Sequence, residues 1–435
     1  MKKYKLICTV LSLIFSIQLD AQDLLTPEEA VSLAVSTNFD IVIAKNEAEI
    51  AKINNNKGAA GMLPKINVTT GDVFNLNNIN QKFTSGTDVV KNWVPVNSFN
   101  ASLNLNWTVF DGLKMFATKD RLQALQSIGE IQLKEQVQNT MAQVLNVYFE
   151  VVRQKQQLKA LQESTKISEE RVKLSQKKFE VGYSDKTPLL QAKVDLSSQQ
   201  INILKQEALL FQSKAQLNQL LSRDASVEFD VIDTIQMNYT PSLQQIKDTA
   251  LTQHLSVLRA KKYIDIARLQ HKEIKSQRMP LVNFNTGYGF TQNNSKAGFQ
   301  IFNRTYGPTV GLNAVIPIYN GGTVKKELAA SAVNIATQEI RVNQLKSELD
   351  AKIITAYRNF DYAQKMLKLN EENVAVAEEN VKIALERYRL NQSNSVEVKQ
   401  AQSSYEEALY NVIAARYSAK IAEIELRKWS NDLIR

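Results

Sequence analysis

From Ser98 to Val109 apolar and polar residues alternate without a break. Phe99, Ala101, Leu103, Leu105, Trp107 and Val109 fall on one side; Ser98, Asn100, Ser102, Asn104, Asn106 and Thr108 fall on the other. A period of two predicts a strand with unlike faces. The pattern returns from Val282 to Phe290, where Phe284, Tyr288 and Phe290 oppose Asn283, Asn285, Gly287 and Gly289. Val310, Leu312, Ala314, Ile316 and Ile318 mark a further apolar face, and Ile66, Val68 and Thr70 a weaker one after Lys65. Four strands are therefore expected, at about 65–76, 98–109, 281–290 and 308–318. Their length and their asparagine-rich polar side fit strands that cross an outer membrane, for which about 9–11 residues suffice. A soluble sandwich strand also has one buried face.

Elsewhere the period is seven. Ile353, Phe360, Leu367, Val374, Val381 and Tyr388 recur at that spacing, with Ala356, Ala363, Asn370, Ala377 and Ala384 three residues after each of the first five. Val144, Val151, Leu158, Thr165, Val172 and Phe179 form a matching series. Heptads sustained this long predict coiled-coil helices, and their alanines let a neighbour approach closely. From Lys114 to Val181, and from Val324 to Leu390, such helices would run about 100 Å at 1.5 Å per residue. The turns after them hold Gly182 and Asn391, residue types that tolerate a left-handed helix end.

The two sets of elements are copies of one unit. Phe110-Asp111-Gly112 is matched 209 residues later by Tyr319-Asn320-Gly321, Phe179-Glu180-Val181-Gly182 by Tyr388-Arg389-Leu390-Asn391, and Gln191-Ala192 by Gln400-Ala401. Upstream the offset is 216, as in Ala34/Ala250, Ala51/Ala267, Pro64/Pro280 and Gly71/Gly287. The division is a first repeat over 22–222, with a helical hairpin at 113–222, a connecting segment at 223–239, and a second repeat over 240–435 with its hairpin at 323–432. Each repeat opens with one helix, about Thr26 to Gly58 and about Pro241 to Gln277. Thr26-Pro27-Glu28-Glu29 is a strong helix start.

Composition narrows the function. Twelve of the 14 glycines lie in Gly58–Gly112 and Gly287–Gly322, and from Thr323 to Arg435 there is neither Gly nor Pro. A compact, turn-rich enzyme is not punctuated this way. Lys2, Lys3 and Lys5, then an apolar run from Leu6 to Leu19 and Ala21, read as a secretory signal peptide over residues 1–21. The only cysteine, Cys8, lies inside it, so the exported chain has no disulfide or thiolate site. Removing the leader lowers the net charge from +9 to +7, spread along helices without a basic, aromatic-interleaved stripe. No nucleic-acid partner is expected. His254 and His271 lack metal-ligand spacing and read as packing residues, and no phosphate loop, His-Glu-x-x-His or Gly-x-Ser-x-Gly motif is present. No cofactor, metal site or catalytic residue is expected.

Four strands cannot close a barrel, since single-chain bacterial barrels have at least about eight. Open edges in lipid leave unpaired backbone groups at several kcal/mol each. A shared barrel follows, of eight strands in a dimer or twelve in a trimer; only the larger leaves a passage. An exported coiled-coil structural or adaptor protein is the alternative reading.

The leader, the twofold repeat, the Asp111-Gly112 and Asn320-Gly321 junctions and Phe179-Glu180-Val181-Gly182 at the hairpin end together resemble the outer-membrane efflux protein (TolC-like) family. The resemblance covers about residues 24–432. It implies a mixed α and β membrane protein: a homotrimer with one twelve-stranded barrel in the outer membrane, four strands from each chain, continued by a helical tunnel through the periplasm. Such a protein is the passive exit duct of a tripartite efflux pump or a type I secretion system, partnered by a periplasmic adaptor and an inner-membrane transporter, and it catalyses nothing. The resemblance also implies a periplasmic gate. Tyr388 matches the family's aromatic, Glu397 stands for one acid, Gln400 replaces the second, and Pro188 holds an acid's place in the first repeat. It further implies adaptor docking at the tips Val181, Gly182, Tyr183 and Leu390, Asn391, Gln392.

Overall fold

The structure is a computed structural model that describes residues 24–84, 86, 88–297 and 300–433. The expected leader lies outside those residues, as does Phe299, which the sequence places with Trp93, Phe302 and Tyr306 among aromatics near expected strand ends. In chain order the elements are β1 (Leu24–Leu25), α1 (Pro27–Thr37), α2 (Phe39–Asn54), β2 (Lys65–Lys82), β3 (Asp88–Phe110), α3 (Lys114–Glu180) and α4 (Thr187–Leu220). The second half follows with β4 (Asp230–Val231), α5 (Leu243–Gln253), α6 (Leu255–Ser276), β5 (Leu281–Ser295), β6 (Phe302–Val315), α7 (Thr323–Arg389) and α8 (Ser395–Trp429).

The chain forms two compact units, and each draws on both repeats. The sheet-bearing unit takes Lys45–Gln132 and Leu255–Leu345. Its four strands lie in the order β2-β3-β5-β6, every pairing antiparallel. The central pair, β3 with β5, joins one repeat to the other. The ladders run past the expected ends because cross-strand pairing needs only backbone groups, as in Gln81 with Val89, where no apolar alternation remains. β6 is the exception at its far end. It stops at Val315, and Ile316 and Ile318 fall beyond it, because Pro317 has no N–H to give the ladder. Beside the sheet, Ala124, Ile128 and Ile266 form a small core with Leu269. Gly129 lets α3 meet α2 closely, since a Cβ there would lie 3.3 Å from that of Ala51.

The helical unit takes the described residues up to Ala44, Leu133–His254 and Lys346 onward. Its core gathers Ala30, Ala34, Val144, Tyr148, Val151, Leu217 and Ile424 with Phe229 and Val231 of the connecting segment. β1 and β4 pair in parallel, Leu24 with Asp230 and Leu25 with Val231. The Tyr148 hydroxyl donates to the Leu25 carbonyl at 2.7 Å and accepts from the Ile232 N–H at 3.3 Å. Burial pushes this phenol up to about 12. α1 starts as expected: the Thr26 hydroxyl accepts from the Glu29 N–H at 3.2 Å, and the Glu29 carboxylate accepts from the Thr26 N–H at 2.9 Å.

Two expectations need correction. The opening helix of each repeat is two helices, broken at Asn38 (φ −61°, ψ 129°) and at His254 (φ −60°, ψ 137°), which are 216 residues apart. Asn38 makes up for the lost helical bonds. Its side-chain oxygen accepts from the N–H groups of Asp40 and Ile41, and its amide donates to the Leu220 carbonyl at 2.8 Å. The second concerns the heptads. In α7 the expected seam is the buried one, with Ile353, Phe360, Val381, Ala384 and Tyr388 all inside. In α3 the end of the seam is different. The seam holds at Thr165, but Phe179 is 38% exposed, and the other buried positions are Leu161, Ser164, Ser168, Arg171 and Ser175. Those polar side chains are inside because α8 and α4 offer matching groups: Gln402 donates to Ser168 at 2.7 Å, and Asp195 pairs with Arg171 at 2.6 Å.

Candidate functional site

Antiparallel partners lie on the same face of a sheet, so the register assigns every strand residue to a side. One side carries the rows Trp107-Phe284-Leu312, Ile66-Leu105-Thr286-Val310 and Val68-Leu103-Tyr288-Pro308. It ends in the row Asp72-Phe99-Gln292-Arg304, where charge returns. From Trp107 to Phe99 is about 27 Å along the strand, or about 20 Å of depth at a barrel-like tilt. The other side carries Asn67-Asn104-Gly287-Thr309 and Gly71-Asn100-Thr291-Thr305. The Thr108 hydroxyl and the Asn283 side chain bond across it at 3.0 Å. Phe99 of the outer row meets Phe290 of the row before it edge to face, 6.1 Å apart, with the Arg304 guanidinium 5.9 Å over Phe290. No described helix is long and apolar enough to cross a membrane.

Strand turns into helix at Asp111-Gly112 and Asn320-Gly321. Gly112 has φ 70°, and a Cβ on it would come within 2.5 Å of the Ser276 carbonyl and 2.6 Å of the Met279 Cβ. Only glycine fits there. The next residue, Leu113, also has φ 71°, where the second repeat has Gly322 at φ 78°. The Asp111 carboxylate accepts from the Met115 N–H at 2.9 Å and so caps α3. The Asn320 backbone carbonyl accepts from Thr323 at 3.3 Å.

At the hairpin ends the two repeats build the same cap. Gly182 (φ 74°) bonds back to the Phe179 carbonyl at 3.0 Å while Tyr183 bonds to that of Lys178 at 2.8 Å. Asn391 (φ 65°) bonds to Tyr388 at 3.2 Å while Gln392 bonds to Arg387 at 2.7 Å. This paired 5→2 and 6→1 bonding ends a helix sharply. Val181, Gly182, Tyr183, Leu390, Asn391 and Gln392 are all exposed in the chain.

The three positions expected at the gate, Tyr388, Glu397 and Gln400, are set differently. Tyr388 is buried, its hydroxyl 2.8 Å from Ser175 Oγ and the Lys178 Nζ 3.7 Å over its ring. Burial lowers the Lys178 amine from its ordinary value. Glu397 begins α8, where Asn394 caps its N–H at 2.9 Å, and its carboxylate takes a 2.7 Å ion pair from Arg387 of the preceding helix. Gln400 is exposed. Tyr388 and Glu397 thus have separate partners, and it is Arg387 with Glu397 that the turn brings together. Deeper in the bundle Asp195 receives Arg171 at 2.6 Å and Lys399 at 2.8 Å. Burial alone would raise its carboxyl, but the bonds from Lys399 and Gln191 and the charges of Arg171 and Lys399 outweigh that and hold it below the usual range. Among the described residues no group of three or more His, Cys, Asp or Glu could hold a metal ion.

Residues 30–223 and 247–431 match the outer membrane efflux protein family. The chain belongs to that family. Among its relatives is the outer membrane protein TolC of Vibrio cholerae, 22% identical over 394 residues that span 89% of this chain and 86% of that one. The proteases secretion protein PrtF of Dickeya chrysanthemi is 18% identical over 92% of this chain and 86% of that one. Among solved structures, the Campylobacter jejuni CmeC outer membrane channel shares the fold with a TM-score of 0.76, at 17% identity over 93% of this chain and 85% of that one. As an outer membrane efflux protein the chain is an exit duct for efflux or secretion, placed in the outer membrane with a periplasmic part. In this duct the residues that motif reading passed over are Lys178, Arg387, Ser175, Arg171 and Asp195. One signal was available: Lys178 and Arg387 are 209 residues apart, so each repeat sets a base just before its aromatic.

Proposed function

We propose that three copies close one twelve-stranded barrel and conduct cargo passively, with no bond made or broken by the duct itself. The observation that carries this is the sheet: one face apolar, one polar, and β2 and β6 each paired on one side only. In lipid those edges need partners, and a second and third copy supply them in the same antiparallel sense. The helices support the reading. Leu190, Val194, Ile201, Leu204 and Phe211 make an exposed stripe on α4, and Met366, Leu369, Val376 and Ile383 make another on α7, continued by Leu390 just past its end. Both have coiled-coil spacing, both start at a hairpin end, and they run in opposite directions. The α4 stripe of one copy therefore fits the α7 stripe of the next.

In this assembly Tyr388, Glu397 and Gln400 stand at the periplasmic mouth, and a ring of three Glu397 carboxylates focuses cations there. The exposed tips take the helical hairpin of a periplasmic adaptor, which links the duct to an inner-membrane transporter that supplies the energy. Native mass measurement of the detergent-extracted protein tests the assembly: a trimer is expected, and a stable monomer or closed dimer refutes it. For the tips, Gly182→Trp has room, since nothing lies within 4 Å of the position, and its positive φ costs only about 1 kcal/mol. Trimers of the variant should insert but not export, and a photocrosslinker at Tyr183 should lose its adaptor. Normal export by the variant would move the docking surface elsewhere.

A further inference from the structure

Resting on the closed-barrel reading, we infer that the bore through the outer membrane is an electrically neutral wall of amides and hydroxyls that passes hydrophilic cargo of either charge sign. The register shows this residue by residue. On the polar side of the paired strands the charged residues are Lys65, at the end nearest the helices, and Lys91, opposite Ile79 past the bulge near the distal turn. The charges of Asp72 and Arg304 stand on the opposite, apolar side. Between the two lysines the wall offers Asn, Ser, Thr and Gly, broken by valines. An amide presents a donor and an acceptor together, so it can solvate an anion and a cation equally. Rings of carboxylates or amines would instead set up potentials of several kT and sort cargo by sign.

The wall is also kept small. Gly289 lies directly opposite Gly307 on this side, and a Cβ on either would meet nothing within 4 Å. Glycine in strand interiors weakens a sheet. Neither backbone has a positive φ, and no close contact in the chain demands glycine at this pair. Gly287 differs, because a Cβ there would lie 2.6 Å from the Leu103 carbonyl. What the Gly289–Gly307 pair leaves is width. Charge selection is then the task of the periplasmic mouth, and the bore admits what the mouth releases.

The only cysteine is Cys8, in the leader, so a single introduced thiol reports alone. Ser102→Cys is to be labelled, in trimers in liposomes, with a cationic and an anionic methanethiosulfonate of equal size, each rate divided by that for a small free thiol. The two normalised rates should agree within about threefold, and adding Asn100→Asp, one step along the same face, should favour the cation by about tenfold. A cation or anion preference of about tenfold at Ser102→Cys alone overturns the neutral wall. Leu103→Cys, on the apolar side, should label with neither reagent. Equal labelling at Leu103→Cys and Ser102→Cys, or none at Ser102→Cys, would overturn the barrel reading and the neutral wall with it.

Discussion

His254 makes the helical unit sensitive to acid. It occupies the break between α5 and α6, it is 7% exposed, and its ring lies 5.8 Å from that of Trp429. Burial, with the nearby charges of Lys428 and Lys352, pushes it down to about 4. Unfolded, a histidine titrates at about 6.5. Between those values the unfolded state holds the extra proton, so stability is complete above about 6.5, falls as the pH drops towards 4, and is level below that. At pH 5 the loss is about 2 kcal/mol, or about 30-fold in the opening equilibrium, whereas at pH 7 it is close to nothing. The first repeat names the control. Asn38 holds the same position and caps the following helix through its side chain, so His254→Asn keeps the break and removes the proton. Hydrogen exchange of peptides across the α5–α6 break, read as wild type over variant at each pH, cancels the intrinsic pH dependence of exchange. The protection ratio should fall by about 30-fold from pH 7 to pH 5. A change of less than about threefold would refute the linkage.

Asp195→Ala leaves the Arg171 guanidinium, 1% exposed, without its carboxylate, and should cost about 3–5 kcal/mol in the α3–α4 hairpin, read by its exchange rates. Because the Asp195 carboxyl is held low, its contribution should be present above the ordinary aspartate value and be lost as the pH falls through the lowered one. Gly112→Ala should destabilise the protein by about 2–4 kcal/mol through its contact with Ser276, while Leu113→Gly should gain about 0.5 kcal/mol, both read from denaturation midpoints. Changing Tyr388 and Glu397 together to Ala should raise single-channel conductance and weaken block by multivalent cations; unchanged conductance in intact trimers would take both residues out of the gate.

The parts of the fold that could be read from the chain are those set by the spacing of apolar residues. The faces of β2, β3, β5 and β6 came from period-two alternation, and the α7 seam from Ile353 to Tyr388 came from period seven. The α3 seam holds as far as Thr165 and departs from expectation towards Phe179, where the buried positions are Ser168, Arg171 and Ser175. Polar residues stay inside only when a partner helix supplies hydrogen bonds, and hydrophobic spacing carries no trace of that. The helix breaks at Asn38 and His254 escaped for a related reason. Neither position is Gly or Pro, and the bond that replaces the helical one in the first repeat comes from Leu220, far along the chain. At the hairpin ends, Gly182 and Asn391 were legible because their backbone angles demand those residue types. The pairing of Arg387 with Glu397 was not, since it depends on how the turn folds back.

The central pairing of β3 with β5 also sets a timetable for biogenesis. Ala101 meets Phe290 and Leu103 meets Tyr288, so the first hairpin waits for the second repeat before its inner edge is covered. At about 5–20 residues per second of synthesis that delay is about 10–40 s. Throughout it the β2–β3 hairpin carries its apolar row and two unpaired edges through an aqueous compartment. Contacts this distant in sequence form slowly, and an exposed strand edge joins whichever strand arrives first. When chains are exported faster than a holding chaperone can shield that hairpin, the strand that arrives first will belong to another molecule. Aggregates of this protein should therefore begin at β3, and a chaperone that masks its edge until β5 arrives should be the limiting factor in yield.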